Sequence, residues 1–522
     1  MLKKLLIIAV CAAAAGAAVA IASALTDSSR LAETSVQSVN QESRNYTPRF
    51  ENIAQKIGLP SAAKGSGCDA NSAAAAWIDL DHKGSPELIL GSYRGWNVIW
   101  RVTTDKAEPV ANLGQIPGAT GLSVADYDND GWDDLLVATQ RGPRLYHNRQ
   151  GTLEDVTSSS GLMPHKLGMM GAWGDMNKDG LLDLALTQGN NCVSSGDTGG
   201  FHFGILRLYL QESPGKFKAA DNLLSAPPRP ALGMAVSWTD LDNDGYLDLY
   251  MSNDNIGGVQ NQAWRNQGGK RLVKGFNSSE IDVNSMGVGL GDLNRDGRVD
   301  LAISNIQPIN TLTNLPKRFE RTRLSAYSYA SLPVTWGLIV EDFNNDGWED
   351  IWSPAGGIEG QGARFPQVFF LNRGNTRQLT DVGKLAGLDQ DWRGRSAATI
   401  DLNHDGLLDV AMAGLNDKPA LFINRGAKVK GNWLQVRLKG DPLLNSPLSA
   451  CGARAWLKVG KTEWMRELEC GSEGFLSTSD RMLHFGVGVA KGPGTLKIRW
   501  PGGQTEQRQV TLNRSYIFAQ SQ

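Results

Sequence analysis

The stretch DLDNDGYLDLYMS, residues 240–252, decides the fold. Side-chain oxygens stand at its positions 1, 3 and 5, glycine at 6 and an acid at 9, and an apolar run of strand length follows. Six relatives of its first nine residues lie elsewhere in the chain: DLDHKGSPE from Asp79, DYDNDGWDD from Asp126, DMNKDGLLD from Asp175, DLNRDGRVD from Asp292, DFNNDGWED from Asp342 and DLNHDGLLD from Asp401. Successive starts are 47, 49, 65, 52, 50 and 59 residues apart. Self-similarity at such a spacing marks a repeat architecture.

The spacing has a chemical reason. A hard cation such as Ca²⁺ takes about six to eight oxygens, and alternate residues of a tight turn aim theirs inward while glycine at position 6 allows the bend. The candidate ligands are Asp79, Asp81 and Glu87 in the first loop, Asp126, Asp128, Asp130 and Asp134 in the second, and Asp175, Asn177, Asp179 and Asp183 in the third. The fourth offers Asp240, Asp242, Asp244 and Asp248, and the fifth Asp292, Asn294, Asp296 and Asp300. The last two offer Asp342, Asn344, Asp346 and Asp350, then Asp401, Asn403, Asp405 and Asp409. An EF-hand is excluded, because strand-like runs such as LLDLALT and RVDLAIS follow where a helix and a Glu at position 12 would be required. The alternative is a set of Asx turns without metal; against it stands the repulsion of clustered carboxylates. In the first loop Lys83 occupies position 5, where its ammonium can replace the ion. The expected cofactor is therefore calcium, about six ions, or seven if the first loop also binds. The second and fourth loops carry four carboxylates and should bind most tightly, within a weak range of roughly 10⁻⁴ to 10⁻³ M.

Each loop follows a small-residue run (MGAWG, MAVSW, MGVGLG) and precedes further strands, several ending in an aromatic-Asn segment: LYHN from Leu145, AWRN from Ala263, FFLN from Phe369 and LFIN from Leu421. About four strands in each unit is the arithmetic of a propeller blade. Gly at 60 of 522 residues agrees with many turns between short strands. The fold class expected is all-β. Trp77, Trp173 and Trp238, each two residues before a loop, read as packing between sheets rather than as a sugar platform.

These loops resemble the FG-GAP/VCBS calcium repeats of integrin-α-type seven-bladed propellers over about residues 60–426. The tail, with NWLQVRLKG from Asn432, GARAWLKVG from Gly452, GSEGFLSTS from Gly471, LHFGVG from Leu483 and IRWPGG from Ile498, resembles the ASPIC/UnbV domain of cartilage acidic protein-like proteins. The resemblance implies a seven-bladed propeller at 49–426 and a small β-rich domain at 427–522, preceded by a leader at 1–24 and a linker at 25–48. It carries no agreed activity with it.

Residues 1–24 are basic at Lys3 and Lys4, then apolar, then end in Ala22-Ser23-Ala24. They read as an export signal cut before Leu25, the alternative being an uncleaved anchor and the only membrane contact. A secreted or periplasmic location follows. Four cysteines remain after cleavage, and Cys451 with Cys470 is the favoured disulfide; Cys68 with Cys192 is left open. The formal charge of −2 excludes a basic nucleic-acid binder. Losing Lys3 and Lys4 makes it −4, and six Ca²⁺ would raise it to +8, which suits an anionic glycan or cell surface.

If the metal loops join first to second strands, the second-to-third connections open on the opposite face. They vary in length and are Gly-rich, and candidate contacts there are Arg94, Trp96, Asn190, Asn191, His202, Asp254, Glu359 and Arg364. The reading is a binding, adhesion or scaffold module for an extracellular or envelope protein or glycan. The alternative is an enzyme (lyase, hydrolase or cyclase) working in the central channel or these loops. Catalytic residues are unassigned: HExxH, GxSxG and P-loop motifs are missing. His82, His147, His404 and His484 read as surface or locally bonded, and only His165 and His202 near one insertion hint at acid-base work.

Overall fold

A computed structural model of the chain describes residues 41–60, 73–92, 98–114, 116, 119–139, 141–164, 168–190, 202–226, 228–254, 258–275, 281, 283–306, 309–316, 318–324, 334–357, 363–415, 417–471 and 474–521. The leader, most of the linker, Cys68, Arg94, Trp96, His165, Asn191, Cys192 and Glu359 lie outside them, as do the side chains of Asn190 and His202. The chain divides into two units, Met1–Gln41 and Glu42–Gln522, and every described strand belongs to the second.

Among the described residues, each of the seven loops joins the first two strands of an antiparallel sheet. The first strands are Ala73–Ile78, Ala119–Ala125, Gly168–Gly174, Leu232–Thr239, Val288–Gly291, Ile339–Glu341 and Gly394–Ile400. The acid at position 9 is in every case the first residue of the second strand. Sheets run to four strands in chain order, as in Ala119–Ala125, Asp134–Thr139, Arg144–Arg149 and Thr152–Asp155. The seventh takes its outer strand from the start of the unit: Phe50–Asn52 pairs with Ala420–Asn424, Phe50 opposite Asn424. The first strand of each sheet lies beside that of the next, and the last beside the first, so the circuit closes.

Small residues make this approach possible. A Cβ at Gly174 would stand 2.7 Å from the Trp238 ring of the next sheet. Trp238 donates its indole N–H to Ala172 O at 3.2 Å, and Trp77 reaches Ala398 O at 3.4 Å across the closure. Trp77, Trp173 and Trp238 are at most 4% exposed, which makes them inter-sheet core as expected.

The tail forms two further sheets. In one, Asn432–Lys439 lies antiparallel to Leu483–Gly488 and parallel to Arg514–Ala519; the other runs Thr462–Glu467, Arg454–Val459, Gly494–Arg499, Thr505–Val510. They enclose a core of Leu434, Val436, Leu457, Phe485, Leu496 and Trp500. Cys451 and Cys470 form the expected disulfide.

From this domain a segment around residues 470–480 enters the circuit. Trp173 N donates to Cys470 O, Val288 and Gly474 exchange backbone bonds, and Ser477–Thr478 pairs in parallel with Ala75–Ala76. Thr478 Oγ1 donates to Leu122 O, and Thr399 N to Ser479 Oγ. Phe475 stacks on Trp336 at 5.8 Å, and it and Leu476 are at most 2% exposed. The inner edges of first strands from five sheets are thus engaged by one insert. Phe475 and Leu476 of the insert pack in one buried cluster with Ala74, Ala76, Leu122 and Met234 from the first strands of three sheets.

Candidate metal loops

All seven loops share a backbone. Position 4 (His82, Asn129, Lys178, Asn243, Arg295, Asn345, His404) has φ between 55° and 63°, and the position-6 glycine follows at 72° to 93°. Two left-handed residues within one turn fold positions 1, 3 and 5 onto a common centre. In the fifth loop Asp292 accepts from Asp296 N and Gly297 N, both at 2.9 Å, and Asp300 Oδ1 accepts from Asn314 N at 2.7 Å. Asp300 Oδ2 and, in the fourth loop, Asp240 Oδ1 have no hydrogen-bond donor among the described residues, although both side chains are almost wholly buried. Buried acceptors without donors fit a cation that has only to be added.

The electrostatics agree. Burial, reinforced by the neighbouring carboxylates, pushes Asp126 and Asp248 up to about 8, and burial pushes Asp409 to about 8 and Asp175 to about 7. Asp183, Asp300, Asp342 and Asp350 are raised well above the usual range, again chiefly by burial. Oxygen donors of this kind suit a hard divalent ion.

The loops divide by the residue at position 3. Where it is Asn, its amide donates to the position-5 carboxylate: Asn177 to Asp179 at 2.9 Å, Asn294 to Asp296 and Asn344 to Asp346 at 3.1 Å, Asn403 to Asp405 at 3.0 Å. Where it is Asp, a base from the third strand stands over the loop instead. Arg101 reaches Asp81 at 2.6 Å and Glu87 at 2.9 Å, Arg265 lies 4.0 Å from Asp242, and His147 lies 3.2 Å from Asp128. Register puts these three at one position, which Leu210, Thr313, Leu371 and Ile423 occupy in the other sheets. The first loop is filled by its own chain, since Lys83 Nζ also sits 2.6 Å from Asp81. In the fourth, Arg499 from the tail bonds Asp240 Oδ2 at 2.6 Å. The additional carboxylate of the fourth loop is therefore offset by Arg265 and Arg499, which removes the charge basis for ranking that loop among the tightest. Sequence reasoning missed Arg101, His147 and Arg265; the signal was a base in the third strand wherever position 3 is Asp.

The aromatic-Asn motif has a role too. Asn148, Asn266, Asn314, Asn372 and Asn424, with Gln211 in the third sheet, donate their amides to the carbonyl at position 2 of the preceding loop and to the carbonyl at position 8 of their own. Position 4 links loops in the other direction: Asn129, Asn243 and Asn345 donate to the next loop's glycine carbonyl, and Arg295 does so to Gly347 O. The tail domain rests on this belt. Leu448 N donates to Asn129 Oδ1, Arg454 to Asn243 Oδ1, and Trp464 Nε1 to Gly347 O; His484 Nε2 lies 2.7 Å from Asn345 Oδ1. Burial holds the His484 imidazole neutral, its pKa down to about 3. Gln435 Nε2 also reaches the candidate ligand Asp401 at 2.9 Å.

Of the contact residues expected opposite the loops, Arg364 is paired with Asp417 at 2.5 Å and Asp254 is buried.

A family model described as FG-GAP-like repeat matches residues 79–137, 126–186 and 342–412, and one described as ASPIC and UnbV matches residues 444–522. Cartilage acidic protein 1 of Xenopus tropicalis is 24% identical over 487 residues, 83% of this chain and 71% of that protein. The Homo sapiens protein is 23% identical over 522 residues, 90% of this chain and 75% of its own. Among solved structures, an Agrocybe aegerita lectin described as recognising non-reducing terminal N-acetylglucosamine aligns with a TM-score of 0.38 at 14% identity, covering 73% of this chain and 95% of that one. BBS1N, solved in complex with ARL6DN, aligns with a TM-score of 0.42 at 11% identity, covering 73% and 100%. The chain carries FG-GAP-like repeats and a C-terminal ASPIC and UnbV domain, and is distantly homologous to cartilage acidic protein 1 over most of its length.

Proposed function

On a chain built of FG-GAP-like repeats and an ASPIC and UnbV domain, we propose a seven-bladed, calcium-stabilised propeller that acts as an extracellular binding or scaffold module. Residues 49–426 would form the propeller and 427–522 the tail domain. Calcium would occupy loops two to seven through the acids and amides at positions 1, 3, 5 and 9. Its part is structural: it neutralises buried carboxylates and fixes the turn on which the tail domain rests.

The observation that carries the binding role is the seat of the tail. It lies on the loop belt, and the second-to-third connections, which leave the strands at the ends away from that belt, are the surface we assign to a partner. The Cys451–Cys470 disulfide and the leader-like N-terminus support an exported location. Net positive charge with six Ca²⁺ bound favours an anionic glycan or an acidic protein surface. The second reading is an enzyme working in the central channel or the insertion loops.

The test is binding of the full chain, in calcium buffer, to arrays of neutral and anionic polysaccharides, repeated with Arg364→Ala and with Lys461→Glu on the tail. Loss of binding with the first substitution and retention with the second is expected. The reverse pattern assigns the contact to the tail and contradicts the proposal.

A further inference from the structure

The second loop differs from the other six in one atom type. The third-strand position that carries arginine over the first and fourth loops carries His147 here, and a guanidinium can only compete with a metal whereas a neutral imidazole can ligate one. His147 Nδ1 lies 3.2 Å from Asp128 Oδ2 and 3.3 Å from Asp134 Oδ1. This nitrogen has solvent exposure near zero and faces these two carboxylates. The three ligand atoms lie within 4.8 Å of one another. Ligands held about 2.0 to 2.2 Å from one ion stand roughly 3.0 to 3.5 Å apart for angles between square and tetrahedral. The two separations from His147 Nδ1 fall in that interval.

The surroundings are those of a built site. Asp134 is 1% exposed and is oriented by bonds from Asn148 N at 2.7 Å and Tyr127 N at 3.2 Å, so its carboxylate cannot swing away. The other ring nitrogen, Nε2, faces Asp130 Oδ2 at 3.7 Å, and Tyr127 packs edge-on to the imidazole. Such outer partners fix ring orientation in metal-bound histidines. Asp128, Asp130 and His147 each keep some exposure, which leaves an entry path and room for a water in an open coordination position.

We propose that the second loop, in place of the calcium that loops three to seven would hold, is a site for an imidazole-accepting first-row transition ion, Zn²⁺ being the type, ligated by His147 Nδ1, Asp128 and Asp134. Calcium takes oxygen ligands, whereas imidazole with carboxylates suits zinc, cobalt or nickel. One nitrogen in the shell therefore separates this loop from its six relatives. The inference rests on the loops being metal sites, as proposed above, but its failure reads out separately, because calcium is counted independently of the transition ion.

The test uses the full chain, stripped with chelator and dialysed against millimolar Ca²⁺ with Co²⁺ as the probe. One Co²⁺ per chain should be retained, with visible d–d absorption and one histidine ring resonance shifted by the paramagnetic ion. His147→Gln should weaken cobalt retention at least tenfold, roughly the scale of losing a supporting ligand contact, while calcium content does not fall. Displacement of cobalt by calcium in the unsubstituted protein overturns the proposal, as does retention without a shifted imidazole resonance. Should the variant fail to fold, the imidazole resonance of the unsubstituted protein decides alone.

Discussion

Asn266 donates to Met176 O at 2.8 Å and Leu247 O at 3.0 Å and accepts from Gly269 N at 2.8 Å, joining two sheets and a turn through one amide. Truncating it strands buried carbonyls that no water replaces, so Asn266→Ala should cost about 2 to 3 kcal/mol in urea unfolding; a change within error would mean the clamp is redundant. The asparagine was visible in the sequence as a recurring motif. Its partners were not, because they lie 68 to 90 residues earlier in the chain, one sheet back. The metal loops show the same division. The shared loop geometry and the spacing of the candidate ligands were legible, since both are local. The bases over Asp81, Asp128 and Asp242 come from another strand and needed the register. A paired substitution separates a filled loop from an open one: Asp179→Ala should lower bound calcium by one per chain by elemental analysis, and Asp81→Ala should leave it unchanged. A loss of one in both would show that Lys83 and Arg101 do not fill the first loop.

At the scale of elements, the insert at 470–480 is where sequence reading stopped short. GSEGFLSTS marked the tail's likeness to a known domain, but its glycines and small polar residues carry no period that announces a strand. Its pairing with Ala75–Ala76 is set wholly by the circuit it enters. Gly471 has φ +86°, and a Cβ there would stand 2.0 Å from Ser123 Oγ, so the chain can pass only as glycine. Phe475 is 2% exposed and stacked on Trp336. Phe475→Ala should therefore cost about 3 to 5 kcal/mol, the usual range for a buried phenylalanine, and differential scanning calorimetry should show the whole unit melting earlier. A separate early transition of the tail alone, with the main transition unmoved, would mean the insert does not brace the circuit.

For the whole molecule, charge ties the parts together. An apparently neutral chain gathers many of its acids in one belt of loops and seats a domain on that belt with Arg454, Arg499 and Trp464. Without metal, Asp126, Asp248 and Asp409 hold protons in the folded state up to about pH 8, while in the unfolded chain they ionise near their ordinary value of 3.8. The folded state thus binds more protons between these limits, and stability falls as pH rises through that window. Chelated protein should melt progressively lower from pH 4 to pH 8, and saturating calcium should abolish that slope; a slope that survives calcium would place its source outside the loops. The central claim is that bound calcium holds the loops and, through them, the seat of the tail domain. It is tested most directly by the melting midpoint of the full chain in millimolar Ca²⁺ and after EDTA. Ions that bind only the folded state add to its stability, each by about 2.7 kcal/mol at a hundredfold excess over its dissociation constant. Several such sites predict a large drop in midpoint on chelation, restored by added calcium, whereas an unchanged midpoint would contradict the account.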